Sequence, residues 1–190
     1  SHVADIVGNQ LKRDGLFGTA KAFAAFRGLT EDKARAAKFR ALEALPEGTL
    51  GHAFCTYIRE NGFSMPGEKH GFPEAGIYHD FAHVLSGYPT TSEGEIQVAA
   101  FIAGFKRENP FMVILFAMLT FGAGLNVTPI DQPHSTSILA KKGLADGFAE
   151  ALMRGAAMTV DLSANDFDPF AYVHRPLEEV RREMGVPPLA

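Results

Sequence analysis

Four side chains in this sequence have the types and spacing to grip a divalent metal ion: His79, Asp80, His83 and Glu95. His79 and His83 stand four residues apart. On a helix they share one face, about 6 Å apart along the axis. Asp80 falls about 60° from His83 around that axis, so all three side chains lie within an arc of about 100°. Two imidazoles so placed are the device by which His-x-x-x-His helices hold zinc. Glu95 follows Gly87-Tyr88-Pro89, which turns the chain, and an antiparallel hairpin would return its carboxylate to the same ion. Two His and one carboxylate leave coordination positions open to water or substrate, a catalytic pattern more than a structural one.

Each feature also has an ordinary explanation. A His-x-x-x-His pair arises by chance, and Asp80 suits a solvated helix face. Ser92-x-x-Glu95 reads as a capping box, in which the Glu side chain returns to the N-cap amide. The remaining candidates carry less. His52, beside Gly51, reads as a partly buried surface histidine, and His134 as part of a turn and helix cap. His70 and His174 have no partner within helical reach, and His2, at the extreme start, is set aside. Cys55 is the one cysteine, which rules out an internal disulfide and reads as a small buried hydrophobe. Gly122-x-Gly124 is not followed by the rest of a dinucleotide fingerprint and reads as close helix packing.

The elements that must position these groups read as helices throughout. Glu31 to Leu45 is predicted helical, with Thr30 as N-cap and Pro46 as its stop. Thr49 to Glu60 carries Leu50, Ala53, Phe54, Tyr57 and Ile58 at helical spacing. Asn61 to Pro73 is a Gly- and Pro-rich loop. Pro73 opens the helix that bears both histidines, and Gly87 with Pro89 closes it near Ser86. A further helix runs from Thr91 or Ser92 to about Glu108. Pro110 then opens an uncharged apolar stretch, Phe111 to Leu125, too short for a membrane span and read as a buried central helix. Asn126 to Pro133 is a turn-rich break, Ser135 to Arg154 is helical, and a loop from Asp161 to Pro169 precedes a short helix from Pro176 to Met184. No segment alternates in the manner of a strand. The expected architecture is all-α, one helical domain over residues 1–190.

Bulk properties agree. The 190 residues are 46% hydrophobic and 21% charged, as in a folded globular protein with a real core. The net charge of -4 offers no basic footprint, so no nucleic-acid partner is expected. Asp5, Lys12, Arg13 and Asp14 interrupt any apolar run at the start, so no secretory signal is expected there. The 16 Phe against 4 Tyr and no Trp suit either a thick core or the wall of an apolar tunnel, and composition does not separate them.

The string His79-Asp80-x-x-His83, eleven residues and Glu95 resembles the signature of a coenzyme Q (ubiquinone) biosynthesis family. The resemblance extends to Leu45-Pro46-Glu47-Gly48-Thr49-Leu50-Gly51, to Gly87-Tyr88-Pro89-Thr90 with Gly94-Glu95, and to Pro176-Leu177-Glu178-Glu179-Val180-Arg181. It covers roughly residues 30 to 188. The chain departs where mitochondrial members carry Arg-Glu-Val before His-Asp, having Gly76-Ile77-Tyr78, and it has Asn109-Pro110-Phe111 where Leu-Pro is common. Those departures mark a divergent, bacterial-type branch.

The resemblance implies an all-α fold with a metal beside a hydrophobic, lipid-binding cavity for a polyprenyl chain. It implies oxidative decarboxylation of a polyprenylated hydroxybenzoate-type quinone precursor, the carboxylate leaving and a hydroxyl taking the same ring carbon. All four residues, His79, Asp80, His83 and Glu95, are then both metal ligands and catalytic groups. The expected cofactor is one divalent ion, zinc first, with iron, magnesium or manganese as alternatives. Expected partners are the quinone precursor, other ubiquinone biosynthesis enzymes, a second copy in a homodimer, and a membrane surface. The expected location is the cytoplasm or the periphery of the inner membrane. The rival reading is a non-catalytic scaffold that binds the prenylated precursor and organises the other enzymes. A metal-dependent hydrolase ranks third, because a His-Asp phosphohydrolase needs a further upstream His and a downstream Asp, and a zinc peptidase normally has Glu where Asp80 stands.

Overall fold

In the computed structural model the described residues are 2–125 and 134–189, so the turn-rich break expected at Asn126–Pro133 lies outside them. Eight α-helices follow one another: α1 (His2–Phe26), α2 (Lys33–Arg40), α3 (Leu50–Glu60), α4 (Tyr78–Ser86), α5 (Ser92–Phe105), α6 (Pro110–Ala117), α7 (Leu144–Ala156) and α8 (Leu177–Glu183). Among the described residues there is no strand, only an isolated bridge between Thr49 and Pro176. The fold is all-α, as expected.

Local chemistry explains most boundaries. Thr49 caps α3 by accepting a hydrogen bond from the His52 amide, and Asp32 caps α2 by accepting one from the Arg35 amide. The helix expected from Glu31 thus starts two residues later, and it tightens into a 3-10 turn, Ala41–Ala44, before Pro46. The helix expected from Pro73 is split. Pro73 precedes a single 3-10 turn, Glu74–Gly76, and α4 begins at Tyr78. A β-carbon on Gly76 would lie 2.2 Å from the Phe72 ring, so this segment is wedged against the preceding loop and not free to open the helix. Ser135 to Arg154 is likewise interrupted: a 3-10 turn, Ile138–Ala140, gives way to α7 only after Gly143, whose φ of 87° no helix accommodates. The helix α1, broken at Gly15 with φ 66°, is not among the helices expected from sequence.

The central helix is α5, not the Phe111 to Leu125 stretch. Ile96, Val98, Ala100, Phe101 and Ile102 are fully buried, and α7 packs along α5. Small residues permit the approach: a β-carbon on Gly155 would stand 1.9 Å from the Phe101 carbonyl oxygen, and one on Gly104 would stand 2.4 Å from that of Leu152. By contrast α6 and the wide π-type turn Met118–Gly122 lie at the periphery, with Phe111 66% and Leu119 41% exposed. Apolar content alone does not distinguish a helix buried on every side from one that turns an apolar face outward. None of the described helices is long and apolar enough to cross a membrane.

Phenylalanine builds a stack between α2, α3 and α4. Phe39, Phe54 and Phe81 are fully buried, with Phe54 and Phe81 stacked at 4.5 Å between centroids. Cys55 sits in the same layer, where burial pushes its thiol up to about 11. It is a core hydrophobe, as expected. The stack fixes α4 against α3, and the Gly87 turn (φ 82°) reverses the chain so that α5 runs back beside α4.

Candidate metal centre

The reversal brings His79, His83 and Glu95 to one point. The Nε2 atoms of His79 and His83 are 3.2 Å apart, His79 Nε2 is 3.2 Å from Glu95 Oε2, and His83 Nε2 is 3.4 Å from Glu95 Oε1. Ligand bonds of about 2.0–2.1 Å around a tetrahedral ion give edges of roughly 3.3–3.4 Å. The triangle therefore has the size of one face of such a site. His83 and Glu95 are buried, whereas the His79 side chain is 27% exposed, so the centre is open on its His79 side.

The donors are oriented as ligands must be. His83 Nδ1 lies 2.8 Å from the Tyr88 carbonyl oxygen, so the Nδ1–H donates there and Nε2 presents its lone pair to the triangle. Tyr57 stacks on the His83 ring at 5.4 Å between centroids and 22° between planes, locking its rotation. Three acceptor atoms facing one another at this range need a cation between them. In the metal-free chain a proton supplies it: burial lowers His79, but the adjacent Glu95 more than offsets this and holds His79 above its ordinary value. Burial alone raises Glu95, yet the two imidazoles bring it down to about 2. The residues present fit a divalent ion held by His79, His83 and Glu95.

Asp80 lies outside the converging triangle. It is buried beside it, with the Tyr57 hydroxyl close enough to favour its charged form. Burial pushes Asp80 up to about 6, with the two imidazoles and the Tyr57 hydroxyl partly offsetting the rise. Burial and the nearby acids push Tyr57 far above the ordinary phenol range, so it stays protonated beside Asp80. Tyr57 is a site residue that helical spacing alone assigns only to an apolar stripe. Its hydroxyl in an otherwise apolar face is the available signal.

The capping box is not formed. Thr91, not Ser92, caps α5, its hydroxyl accepting from the Gly94 amide, and Glu95 points across to α4. Glu95→Gln is accordingly expected to leave the α5 start intact while lowering zinc affinity by about two decades, whereas Thr91→Ala costs about 1 kcal/mol of stability and leaves zinc affinity alone. Metal titration and thermal melts of both variants check this. Equal zinc affinity in Glu95→Gln and the parent would remove Glu95 from the centre.

Of the other histidines, His52 is half-buried in the first turn of α3, and His70, His134 and His174 are exposed; among the described residues none joins the converging group. Gly122 packs against the Leu139 side chain, as a close-packing glycine should. A cleft of about 860 Å³ between Lys106–Glu108 and Thr159–Tyr172 has a mixed polar lining that includes none of the four candidate residues.

No protein-family model matches this chain, and no curated protein sequence does. Among solved structures it is similar to the crystal structure of a Nostoc punctiforme protein whose name provisionally assigns it to ubiquinone biosynthesis. The TM-score is 0.52 at 19% identity, over 97% of this chain and 96% of that one. At that identity the likeness establishes a shared fold over nearly the full length of both chains.

Proposed function

We propose that this chain acts in ubiquinone biosynthesis, as a metal-dependent oxidative decarboxylase of a polyprenylated hydroxybenzoate-type precursor. The observation that carries the reading is the meeting of His79, His83 and Glu95 at ligand spacing, within a sequence signature that resembles the ubiquinone biosynthesis family and a fold shared with a protein named for that pathway. Zinc is the first candidate for the ion, with iron, magnesium or manganese as alternatives. When bound, the ion supplies positive charge and open coordination for a ring carboxylate or phenolate, and a redox-active ion also supplies oxygen chemistry.

The chain's own residues divide the remaining work. His79, His83 and Glu95 bind the ion. Asp80, buried beside them and next to the Tyr57 hydroxyl, is placed to hold or release a proton at its carboxylate oxygen. The overall change is a two-electron oxidation: the bond from ring to carboxylate breaks and carbon dioxide leaves, a hydroxyl derived from water takes the same carbon, and dioxygen accepts the two electrons with two protons and leaves as hydrogen peroxide. Apolar surface for the prenyl chain or a membrane is available on the outward face of α6, at Phe111 and Leu115, and at Leu16 and Phe17 of α1. Partners on this reading are the other enzymes of the pathway and a second copy of the chain.

Native mass spectrometry of freshly purified protein, read beside an assay of carbon dioxide release under oxygen, tests the proposal. One bound divalent ion, a retained prenylated lipid and chelator-sensitive turnover are expected. Tight lipid binding with no product under oxygen would instead favour the scaffold reading.

A further inference from the structure

Every helix ends with four carbonyls that have no intrahelical donor. In α4, which carries both histidines, those are the carbonyls of His83, Val84, Leu85 and Ser86, and all four residues are buried. The Gly87 amide donates to His83 O at 2.8 Å. The other three are taken by arginines from the C-terminal part of the chain. Arg181 Nη2 donates to Val84 O and Arg181 Nε to Leu85 O, both at 2.9 Å. Arg154 Nη2 donates to Ser86 O at 3.0 Å and also, with Nε, to Pro187 O. Two cations at a helix C-terminus are in addition electrostatically favoured.

The consequence reaches the metal centre through one short chain of bonds. Ser86 Oγ accepts from the Tyr88 amide, and the Tyr88 carbonyl accepts from His83 Nδ1. Holding Ser86 therefore holds the carbonyl that sets the His83 tautomer and ring direction. The C-terminal helix is itself anchored: the Leu177 amide donates to Gly48 O at 2.8 Å, and the Leu50 and Gly51 amides donate to Arg175 O and Val173 O. The two sequence segments flanking the centre in the family resemblance, Leu45–Gly51 and Pro176–Arg181, are thus bonded to each other.

We propose that Arg181 and Arg154 are positioning residues for the metal centre, a clamp that fixes the end of α4 and with it the lone pair of His83. This deepens the metal reading above and rests on it. Arg181 also pairs with Glu178, whose side chain is 75% exposed, so that ion pair can be removed without touching the clamp.

The experiment uses the full chain and zinc alone as the probe. Zinc affinity is measured by competition titration at pH 7.5, well below each melting temperature, and the His83 imidazole is followed by nitrogen NMR in the metal-free chain. Arg181→Gln is expected to weaken zinc binding by roughly 10- to 100-fold, Arg181→Lys by less, and Glu178→Gln by nothing. In the metal-free Arg181 variants, His83 is expected to lose its single Nδ1–H tautomer. Folded variants with zinc affinity within about twofold of the parent and unchanged His83 signals would overturn the clamp, leaving Arg181 a purely stabilising cap. Should Arg181→Gln not fold, Arg181→Lys decides the matter by the same two readouts. If the parent chain itself binds no zinc, the metal reading falls, and the His83 tautomer alone upholds or overturns the clamp.

Discussion

His83→Ala is expected to abolish stoichiometric zinc binding and, with it, turnover, while leaving a folded chain. His83 is the most buried of the three candidate ligands, it is held by both Tyr88 and Tyr57, and its Nε2 faces the other two donors at 3.2 and 3.4 Å. A structural zinc site of four donors is worth about 10–16 kcal/mol, or roughly 2.5–4 kcal/mol for each donor. At about 1.4 kcal/mol per tenfold, loss of one donor lowers affinity by two to three decades. The substitution also leaves a cavity beneath Tyr57, so a fall in melting temperature is expected as well. His83→Gln, closer in volume, separates the two effects. Metal content by elemental analysis of purified variants, read beside their circular dichroism, checks the expectation. A folded His83→Ala chain with a full equivalent of zinc would defeat the proposed centre outright.

Metal is also expected to invert the pH dependence of stability. In the metal-free chain the raised His79 contributes stability that is fully present below its ordinary value of 6.5 and is lost as pH rises through its folded value. Glu95, depressed to about 2, contributes stability present above its ordinary 4.5 and lost as pH falls toward 2. Asp80, raised from 3.8 to about 6 by burial, favours the folded state at low pH, and that contribution is lost as pH rises across the same interval. Glu95 and His79 alone leave a plateau between 4.5 and 6.5, and the Asp80 loss between 3.8 and about 6 tilts it, so the metal-free maximum lies at the acid end, at about pH 4.5. Zinc reverses the upper side, because His79 must give up its proton before it can bind the ion. At a zinc concentration about 1,000 times the dissociation constant, binding adds about 4 kcal/mol, or roughly 8–16 °C in a chain of this size. That gain is expected in full above the raised folded value of His79 and should shrink by about tenfold in affinity per pH unit as His79 takes up its proton. Melting curves from pH 4 to 8.5, with zinc and with a chelator, supply the test. A melting temperature that zinc raises equally at pH 5 and pH 8 is incompatible with His79 as a ligand.

The clamp at the end of α4 ties the centre to the wider fold. Among the described residues, no member of the candidate metal centre lies after α5. The helix α7 fills one side of α5 and supplies Arg154, and α8 docks on the Leu45–Gly51 segment and supplies Arg181. The close approach at Gly104 and Gly155 is what lets α7 come near enough for Arg154 to reach Ser86.

Much of what depends on neighbours a few residues apart was legible in the order of residues alone, although the breaks at Gly76 and Gly143 and the cap at Asp32 were not. Four-residue spacing placed His79 and His83 on one helix face because the helical period does so in any chain. The stop at Gly87 and the starts of α3 and α8 to within a residue were legible for the same local reason, and the burial of Cys55 followed from its residue type. The hairpin at Gly87-Tyr88-Pro89 made Glu95 a candidate. Whether its carboxylate returned to its own helix end or crossed to α4 depended on a one-residue shift of the cap from Ser92 to Thr91, which only packing in three dimensions resolves. Packing also selects which of two apolar helices is central, since the small residues of α5 admit neighbours from several sides whereas α6 leaves Phe111 and Leu115 outward. Tyr57, Arg154 and Arg181 reach the centre across 26, 68 and 96 or more positions of chain in their contacts with His83, Ser86, Leu85 and Val84. Periodicity does not set such contacts, because each requires two distant segments to be buried against each other before a bond can form.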